Sequence, residues 1–179
     1  MKRALFVDRD GVLNKSVLFE GVPQSPNCLE QVDILDGVVE AIQILKYQGL
    51  VPVVVSNQPN VARGLLTQAI VEDINTRIGE EVKIKYFYTC FHDDGDSCVC
   101  RKPLPGLILQ AAYELNLDTH KSFMVGDRWR DIAAGQAAGC ESFFIDYSYP
   151  EPYPNQPFSR VKSLLEAAEI IKGRLTGVR

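Results

Sequence analysis

The sequence has no long apolar run and almost no excess of charge of one sign. No stretch approaches the roughly 18 consecutive apolar residues of a membrane-spanning helix. The net charge is −4, so the overall balance attracts neither nucleic acid nor an anionic membrane surface. Residues 4–7 are apolar, but Asp8, Arg9 and Asp10 follow at once, which is not the pattern of a signal peptide. We expect a cytoplasmic monomer that has neither nucleic acid nor a membrane as its partner.

The sequence is also poor in the marks of disorder. Apolar residues make up 46% and charged residues 23% of the chain, as in an average folded protein. Its 179 residues are the length of one ordinary domain, and the pattern contains no internal repeat or linker. We expect residues 1–179 to form a single domain.

Short apolar segments alternate with segments of helical periodicity. Strands are predicted at 4–7, 51–55, 86–89, 122–125 and 142–145, and helices at 37–48, 67–79, from about 103, 129–138 and 160–172. The segment 51–55 is nearly all β-branched, which is typical of a parallel strand covered on both faces. A loop with turn formers such as Gly21 and Pro23 follows the first strand, and an irregular surface connection is expected at 147–157. The alternation predicts an α/β fold with a doubly wound, mostly parallel sheet.

Polar residues follow four of the predicted strands, at the edge where open parallel sheets bind ligands. They are Asp8-Arg9-Asp10-Gly11, Ser56-Asn57-Gln58, Arg101-Lys102-Pro103 after a Cys/His loop, and Gly126-Asp127-Arg128 with Asp131. Such an inventory suits phosphoryl transfer, in which one carboxylate attacks phosphorus and a second acid protonates the leaving oxygen. Magnesium, which prefers oxygen ligands, would reduce the repulsion between the phosphate and the attacking carboxylate. Each motif alone is common in turns, and a non-catalytic interaction module is the alternative, but their joint occurrence favours catalysis.

These residues resemble the motifs of the haloacid dehalogenase superfamily, over the stretch from Ala4 to about Ile145. The four motifs are Asp8-Arg9-Asp10-Gly11-Val12, Ser56, Lys102, and Gly126-Asp127 with Asp131. The resemblance implies a Rossmann-like fold in which Asp8 is the nucleophile and a magnesium ligand. It implies that Asp10 is the general acid/base and binds magnesium through its backbone carbonyl, and that Asp127 completes the magnesium site. Ser56 and Lys102 would hold the phosphoryl group.

Further residues look like the small, nearly capless histidinol-phosphate and heptose-bisphosphate phosphatases of that superfamily. Ala62-Arg63-Gly64 is similar to the D-glycero-D-manno-heptose 1,7-bisphosphate 7-phosphatases, so the implied partner is a small phosphorylated substrate, a sugar bisphosphate. The substrate-binding residues are then expected to be Arg9, Asn57, Gln58, Arg63, Arg101 and Arg128. Pro59 and Asn60 stand where that group usually has Ser-Gly, in a loop that touches substrate. Histidinol phosphate or another small phosphomonoester therefore stays an alternative.

The spans between the motifs are too short for a large cap domain. We expect an open site that is shaped only by loops.

Two close pairs, Cys90-x-His92 and Cys98-x-Cys100, place four soft ligands within eleven residues. A turn containing Gly95 can fold the pairs together into the tetrahedron of a closed, structural zinc site. The alternative is a loop of free thiols with a surface histidine.

The predicted zinc loop, residues 90–103, would fix the position of Arg101 and Lys102. The charged neighbours Asp93, Asp94 and Arg130 are expected to be solvated.

Overall fold

The computed structural model describes residues 1–19 and 22–177; the predicted turn former Gly21 lies outside them. The strands are β1 (Arg3–Val7), β2 (Val17–Phe19), β3 (Val22–Gln24), β4 (Leu50–Asn57), β5 (Tyr86–Cys90), β6 (Phe123–Gly126), β7 (Glu141–Ile145) and β8 (Ser159–Val161). The α-helices are α1 (Val38–Tyr47), α2 (Gln68–Val82), α3 (Gly106–Leu115), α4 (Trp129–Ala137) and α5 (Leu164–Thr176). Among the residues described, no helix combines the length and apolar character needed to cross a membrane.

Six strands form one parallel sheet in the order β5-β4-β1-β6-β7-β8. Leu5 of β1 lies opposite Pro52 of β4 on one side and Phe123 of β6 on the other. The predicted doubly wound α/β fold is confirmed. Because β1 lies between β4 and β6, the residue that follows β1 comes to the middle of the functional edge.

Helices cover both faces of the sheet and bury two apolar cores. On one face α1, α2 and α5 contribute Leu45, Ile74 and Ile171, all fully buried. On the other face α3 and α4 contribute Ile108 and Ala134. Apolar side chains on both sides of β1 explain why its sequence is a continuous apolar run rather than an alternating one.

Local capping fixes where two of the helices begin. The side chain of Thr67 accepts a hydrogen bond of 3.3 Å from the backbone N–H of Ile70, as predicted for the start of α2. Ser163 accepts a bond of 3.1 Å from the N–H of Glu166 at the start of α5.

The predicted C-terminal helix is wrong at its beginning. Ser159–Val161 is not helical but forms β8, which pairs in parallel with β7 and buries Val161. The helix begins at Leu164, after the cap Ser163, and ends at Thr176. The long loop after β1 also contains more structure than expected, since β2 and β3 pair there as an antiparallel hairpin.

Candidate active site

The carboxyl ends of β1, β4 and β6 meet around a cavity of about 240 Å³. Asp8 follows β1, Asp127 follows β6, and Lys102 arrives on the loop after β5. The loop after β3 and the arginines after β4 and β6 form the rim of this cavity. The strand order therefore collects residues that are distant in sequence at one edge, as the sequence predicted.

Lys102 is the buried hub of the cavity. Its Nζ donates hydrogen bonds of 2.7 Å to Asp8 Oδ1, 2.5 Å to Asp131 Oδ1 and 2.7 Å to the backbone oxygen of Val55. Burial alone would lower the pKa of Lys102, but Asp131 and Asp8 together raise it above its ordinary value. The side chain therefore stays charged beside the carboxylate that is expected to be the nucleophile.

Burial determines the direction of the pKa shift at two carboxyl groups of the cavity, Asp8 and Asp127. It raises the pKa of Asp8 to about 7, although Lys102 pulls in the opposite direction. It also raises the pKa of Asp127 well above its ordinary value, and the nearby carboxylates Asp131 and Asp8 add to that rise. The positive charge of Lys102 therefore does not offset burial and mutual repulsion at Asp8 and Asp127.

Asp127 shows where a cation fits. Both of its carboxylate oxygens are buried, and neither has a hydrogen-bond partner among residues 1–19 and 22–177. Oxygens of Asp8, Asp127 and Asp131 lie within 4.8 Å of one another. A Cβ at Gly11 would lie 2.0 Å from Asp127 Oδ2, so only glycine leaves that carboxylate in place. Unpartnered, clustered carboxylate oxygens are the donor set that Mg²⁺ prefers, and the expected contribution of the Asp10 carbonyl stays a prediction.

The Asp10 carboxylate accepts five hydrogen bonds. Arg9 donates Nε to Oδ1 at 3.1 Å and Nη2 to Oδ2 at 3.0 Å. Asn14 donates at 2.9 Å to Oδ1, whereas Ser25 at 2.8 Å and Gln58 at 2.9 Å donate to Oδ2. Burial would raise the pKa of Asp10, but Arg9 and these donors hold it below its ordinary value.

Two expected substrate contacts lie behind the cavity wall instead. Arg9 is 0% exposed, because its guanidinium group is engaged by Asp10 and, through Nη1, by Asn75 Oδ1 at 2.8 Å. Gln58 is also buried and donates from Nε2 to Asp10 and to Ser56 Oγ. The expectation that Arg9 and Gln58 bind substrate is corrected, since both are enclosed and support the site from within.

Asn57 has a mixed position. Its Nδ2 donates to the backbone oxygen of Lys102 at 3.0 Å, and its Oδ1 accepts from the Lys102 N–H at 3.1 Å. It also lines the cavity. These two bonds fasten the lysine-bearing loop to the end of β4.

Acidic residues of the Cys/His loop bind the arginines of the rim. Arg63 donates Nε and Nη2 to the two oxygens of Asp93 at 2.6 and 2.7 Å. Arg101 donates to Asp94 Oδ1 at 2.8 Å, and Arg130 donates to the same oxygen at 3.1 Å. The expectation that these three residues are simply solvated is therefore wrong: Asp93, Asp94 and Arg130 all take part in ion pairs.

Arg128 reaches the cavity from the end of β6 and pairs there with Glu151. Glu151 belongs to the segment 147–157, and Tyr147 of that segment donates a hydrogen bond of 3.1 Å to the backbone oxygen of Gly11. The segment is irregular, as predicted, but it contacts the catalytic edge rather than being a plain surface connection.

The predicted zinc ligands lie together. Cys90 Sγ is 3.4 Å from His92 Nδ1, 3.9 Å from Cys98 Sγ and 3.1 Å from Cys100 Sγ. Cys100 Sγ is 3.3 Å from His92 Nδ1. Ligands at zinc's usual bond lengths stand about 3.5–3.8 Å apart in a tetrahedron, so this cluster fits a zinc ion.

Three supporting residues were not found by the sequence analysis. Asn14 and Ser25 donate hydrogen bonds to Asp10, and Asn75 accepts one from Arg9. Of the three, only Asn75 could have been found from the sequence pattern. It lies on the buried face of α2 between Ile74 and Ile78, where an amide needs a partner.

The role of Asp131 had been left open. It bonds Lys102 through Oδ1 and accepts the Arg128 N–H through Oδ2 at 3.0 Å.

Comparisons with known proteins agree with this geometry. The model of the haloacid dehalogenase-like hydrolase family matches residues 14–139. The chain is 38% identical over 149 residues to the D-glycero-beta-D-manno-heptose-1,7-bisphosphate 7-phosphatase of Pasteurella multocida, covering 77% of this chain and 78% of that protein. The protein of the same description from Escherichia coli K12 is 35% identical over 147 residues, or 75% and 74% of the two chains. The D,D-heptose 1,7-bisphosphate phosphatase of B. bronchiseptica, solved with magnesium and phosphate, superposes with a TM-score of 0.84 at 25% identity, covering 96% and 99% of the two chains.

Proposed function

Because this chain belongs to the haloacid dehalogenase-like hydrolase family, we propose that it hydrolyses a phosphate monoester through a phosphoryl group carried on Asp8. The observation that supports this most is the contact of Asp8 with the buried ammonium group of Lys102, at 2.7 Å, with Asp10 two residues further on. A nucleophilic carboxylate, a second carboxyl group and a fixed cation are what such a reaction requires.

We further propose that the substrate is a heptose 1,7-bisphosphate, cleaved at its 7-phosphate. The support comes from the two relatives described above, which are heptose-1,7-bisphosphate 7-phosphatases. They are 35–38% identical to this chain over about three quarters of its length. The rim arginines Arg63, Arg101 and Arg128 all line the cavity, and a guanidinium group can bind two oxygens of a phosphate at once, which suits a substrate with a second phosphate.

In the first step, a carboxylate oxygen of Asp8 attacks phosphorus and the bond from phosphorus to the sugar oxygen breaks. The departing oxygen takes a proton from the Asp10 carboxyl group, since an alkoxide is a poor leaving group without one. The pKa of Asp10 is low in the free protein, and the negative charge of the bound phosphate would raise it so that Asp10 carries this proton. Lys102 remains protonated and neutralises the charge that gathers on the phosphoryl oxygens. Ser56, at the end of β4, would donate a hydrogen bond from its hydroxyl group to the same oxygens.

In the second step, Asp10 accepts a proton from a water molecule as that water attacks the phosphoryl group on Asp8. The bond between phosphorus and the Asp8 oxygen breaks, inorganic phosphate leaves, and the carboxylate is restored. One residue thus serves as acid and then as base.

Asp8, Asp127 and the backbone carbonyl of Asp10 would hold a magnesium ion. Bound there, the ion would neutralise charge between the phosphate and the attacking carboxylate. The unpartnered oxygens of Asp127 support this site. Cys90, His92, Cys98 and Cys100 would hold a structural zinc ion, which leaves no ligand position open for catalysis.

The test is phosphate release from heptose 1,7-bisphosphate anomers, fructose 1,6-bisphosphate and histidinol phosphate, with and without magnesium. We expect magnesium-dependent release from a heptose bisphosphate, and its loss in Asp8→Asn. Asp73→Asn, which changes an exposed aspartate of α2, is the matched control and should keep full activity.

Different outcomes separate the alternatives. A preference for histidinol phosphate would keep the chemistry and replace the substrate. Release that persists in Asp8→Asn would rule out Asp8 as the nucleophile. No release from any substrate would favour a non-catalytic interaction module.

A further inference from the structure

The largest fully buried side chain described in the protein is a charged one, Arg9. It lies directly behind Asp10, which is partly exposed and lines the cavity. Two of its nitrogens bind the two oxygens of that carboxylate, and the third, Nη1, binds Asn75 Oδ1 at 2.8 Å. Such a two-point fork fixes the orientation of a carboxylate as well as its position.

Asn75 in turn is held by the fold. It lies on the buried face of α2, and its Nδ2 donates to Thr89 Oγ1 of β5 at 3.3 Å. A buried amide on an apolar face costs free energy unless it is hydrogen-bonded, and here the hydrogen bonds run to the guanidinium group and the neighbouring strand. A continuous path therefore leads from α2 and β5 through Arg9 to the carboxylate of Asp10.

We propose that Arg9 and Asn75 are positioning residues that hold the Asp10 carboxyl group in place for proton transfer. The inference rests on the proposed function and deepens it. Asp10 lies on a loop, and its other donors Asn14, Ser25 and Gln58 are neutral and each bind one oxygen. Removing the fork leaves single-point contacts, which allow the carboxylate to rotate.

The dependence on the leaving group tests this role. A sugar alkoxide needs a proton as it leaves, whereas a nitrophenolate leaves without one. In Asn75→Leu, which removes the acceptor for Arg9, the single-turnover rate with the sugar bisphosphate should fall about 10-fold or more, because small misplacements of catalytic groups are that costly. The first release of nitrophenol from nitrophenyl phosphate should stay within about twofold of wild type, since proton transfer contributes little to that step.

Later turnovers provide a second readout. Hydrolysis of the phosphorylated Asp8 needs Asp10 as a base whatever the leaving group was. Asn75→Leu should therefore show a burst of nitrophenol followed by slow steady-state release, with KM for the sugar bisphosphate little changed. Arg9→Lys keeps the charge but loses the fork, and it should behave in the same way. Thr76→Val changes the exposed neighbour of Asn75 on α2 and should behave as wild type.

The outcomes decide clearly. If the single-turnover rates with the sugar bisphosphate and with nitrophenyl phosphate fall equally, the substitution has damaged the site in general. If neither rate changes, the contact of Arg9 with Asp10 is dispensable. Either result overturns the proposal. A crystal structure of Asn75→Leu, in which the Asp10 carboxylate should be rotated, judges the positioning without any turnover. If the wild type itself cleaves no phosphate ester, the proposed function fails, and that structure still decides whether Arg9 and Asn75 position Asp10.

Discussion

Three carboxylates in the cavity share one buried ammonium group. Lys102 binds Asp8 and Asp131, and Asp127 has no hydrogen-bond partner within the described part of the chain. A protein that keeps an uncompensated carboxylate in its interior gives up folding free energy for a ligand that will compensate it. We therefore expect that the carboxylates of the cavity lower the stability of the metal-free protein and that magnesium binding restores it.

Asp127→Asn should raise the stability of the metal-free protein at pH 8 while abolishing turnover. The amide removes the repulsion from Asp8 and Asp131, an effect on the order of 1 kcal/mol. Magnesium should raise the Tm of the wild type but not that of the variant. Thermal unfolding with and without magnesium measures both effects. A metal-free variant less stable than wild type would contradict this account.

The same substitution has a defined pH dependence. The pKa of Asp127 in the folded protein is raised above its ordinary value of 3.8, so the folded state keeps its proton to higher pH than the unfolded state. Through this group the wild type loses stability as pH rises from about 4 through the raised pKa, and Asp127→Asn lacks this contribution. The stability advantage of the variant should grow with pH across this range and vanish below about pH 4, as urea unfolding at several pH values would show.

Lys102→Met should do the opposite in the metal-free protein. It leaves Asp8 and Asp131 buried without their cation, and breaking such a pair typically costs about 3–5 kcal/mol. Lys15→Met, which removes the partner of exposed Asp33, is the matched control and should cost less than about 1 kcal/mol. The free energy of unfolding in urea distinguishes the two, and equal losses would show that Lys102 is not a buried hub.

At this scale the sequence predicted which residues gather at the cavity but not which way each one points. Asp8, Lys102 and Asp127 follow from the rule that ligands bind at strand ends. Arg9 and Gln58 follow from it equally well, yet they turn inward, because Asp10, Asn75 and Ser56 offer them buried partners. Two of these contacts, Arg9 with Asn75 and Gln58 with Asp10, join positions 66 and 48 residues apart, so a local pattern contains no sign of them.

Among the elements, the loop 90–103 links the Cys/His cluster to the mouth of the cavity. Its four soft ligands converge, and the residues between them hold arginines that come from three different segments. A loop without regular structure can only be this well placed if something fixes it. We therefore expect the zinc ion to determine substrate affinity without touching the substrate.

The purified protein should contain one zinc ion per chain, measured by atomic absorption. Removing it with a chelator, or by Cys98→Ser, should raise KM for the bisphosphate and also lower kcat, because Lys102 lies on the same loop. Cys28→Ser changes a cysteine outside the cluster and is the control. Full activity in a zinc-free preparation would contradict a structural role for the metal.

Alkylation of the cysteine thiols should also detect the removal of zinc. Burial raises the pKa of Cys140 to about 12, so its thiol should resist iodoacetamide at pH 8 until the protein unfolds. Cys98 and Cys100 should become reactive only after chelation, which peptide mapping by mass spectrometry would reveal. Labelling of Cys140 in the folded protein would contradict its burial.

The elements were predicted best where the apolar pattern was long. Five of the six strands of the parallel sheet and four of the five helices were found near their observed positions. The strand β8 and the hairpin of β2 and β3 were missed because each has only three residues and depends on pairing with a partner. Val161 illustrates the problem, since a single buried valine fits the first turn of a helix as well as the end of a strand.

For the molecule as a whole, the two apolar cores lie along the sheet and the chemistry lies at one edge of it. Ile171→Ala truncates a fully buried side chain in the core that α1, α2 and α5 share. We expect a loss of about 2–5 kcal/mol in the free energy of unfolding and an unchanged kcat at temperatures where the variant is folded. Denaturant unfolding and steady-state kinetics measure the two separately, and a parallel loss of kcat would show that the core and the site are coupled.

The rim of the cavity is built from short loops, so water would reach the phosphoryl group proposed on Asp8 through the mouth of the cavity. An acyl phosphate in that position meets water far more often than it meets any other hydroxyl compound. The protein should therefore be a poor phosphotransferase: an alcohol added as a competing acceptor should capture only a small share of the phosphoryl groups. A site with the same residues that excluded water could transfer the phosphoryl group from one sugar to another. Because this cavity admits water, we expect the intermediate to be hydrolysed.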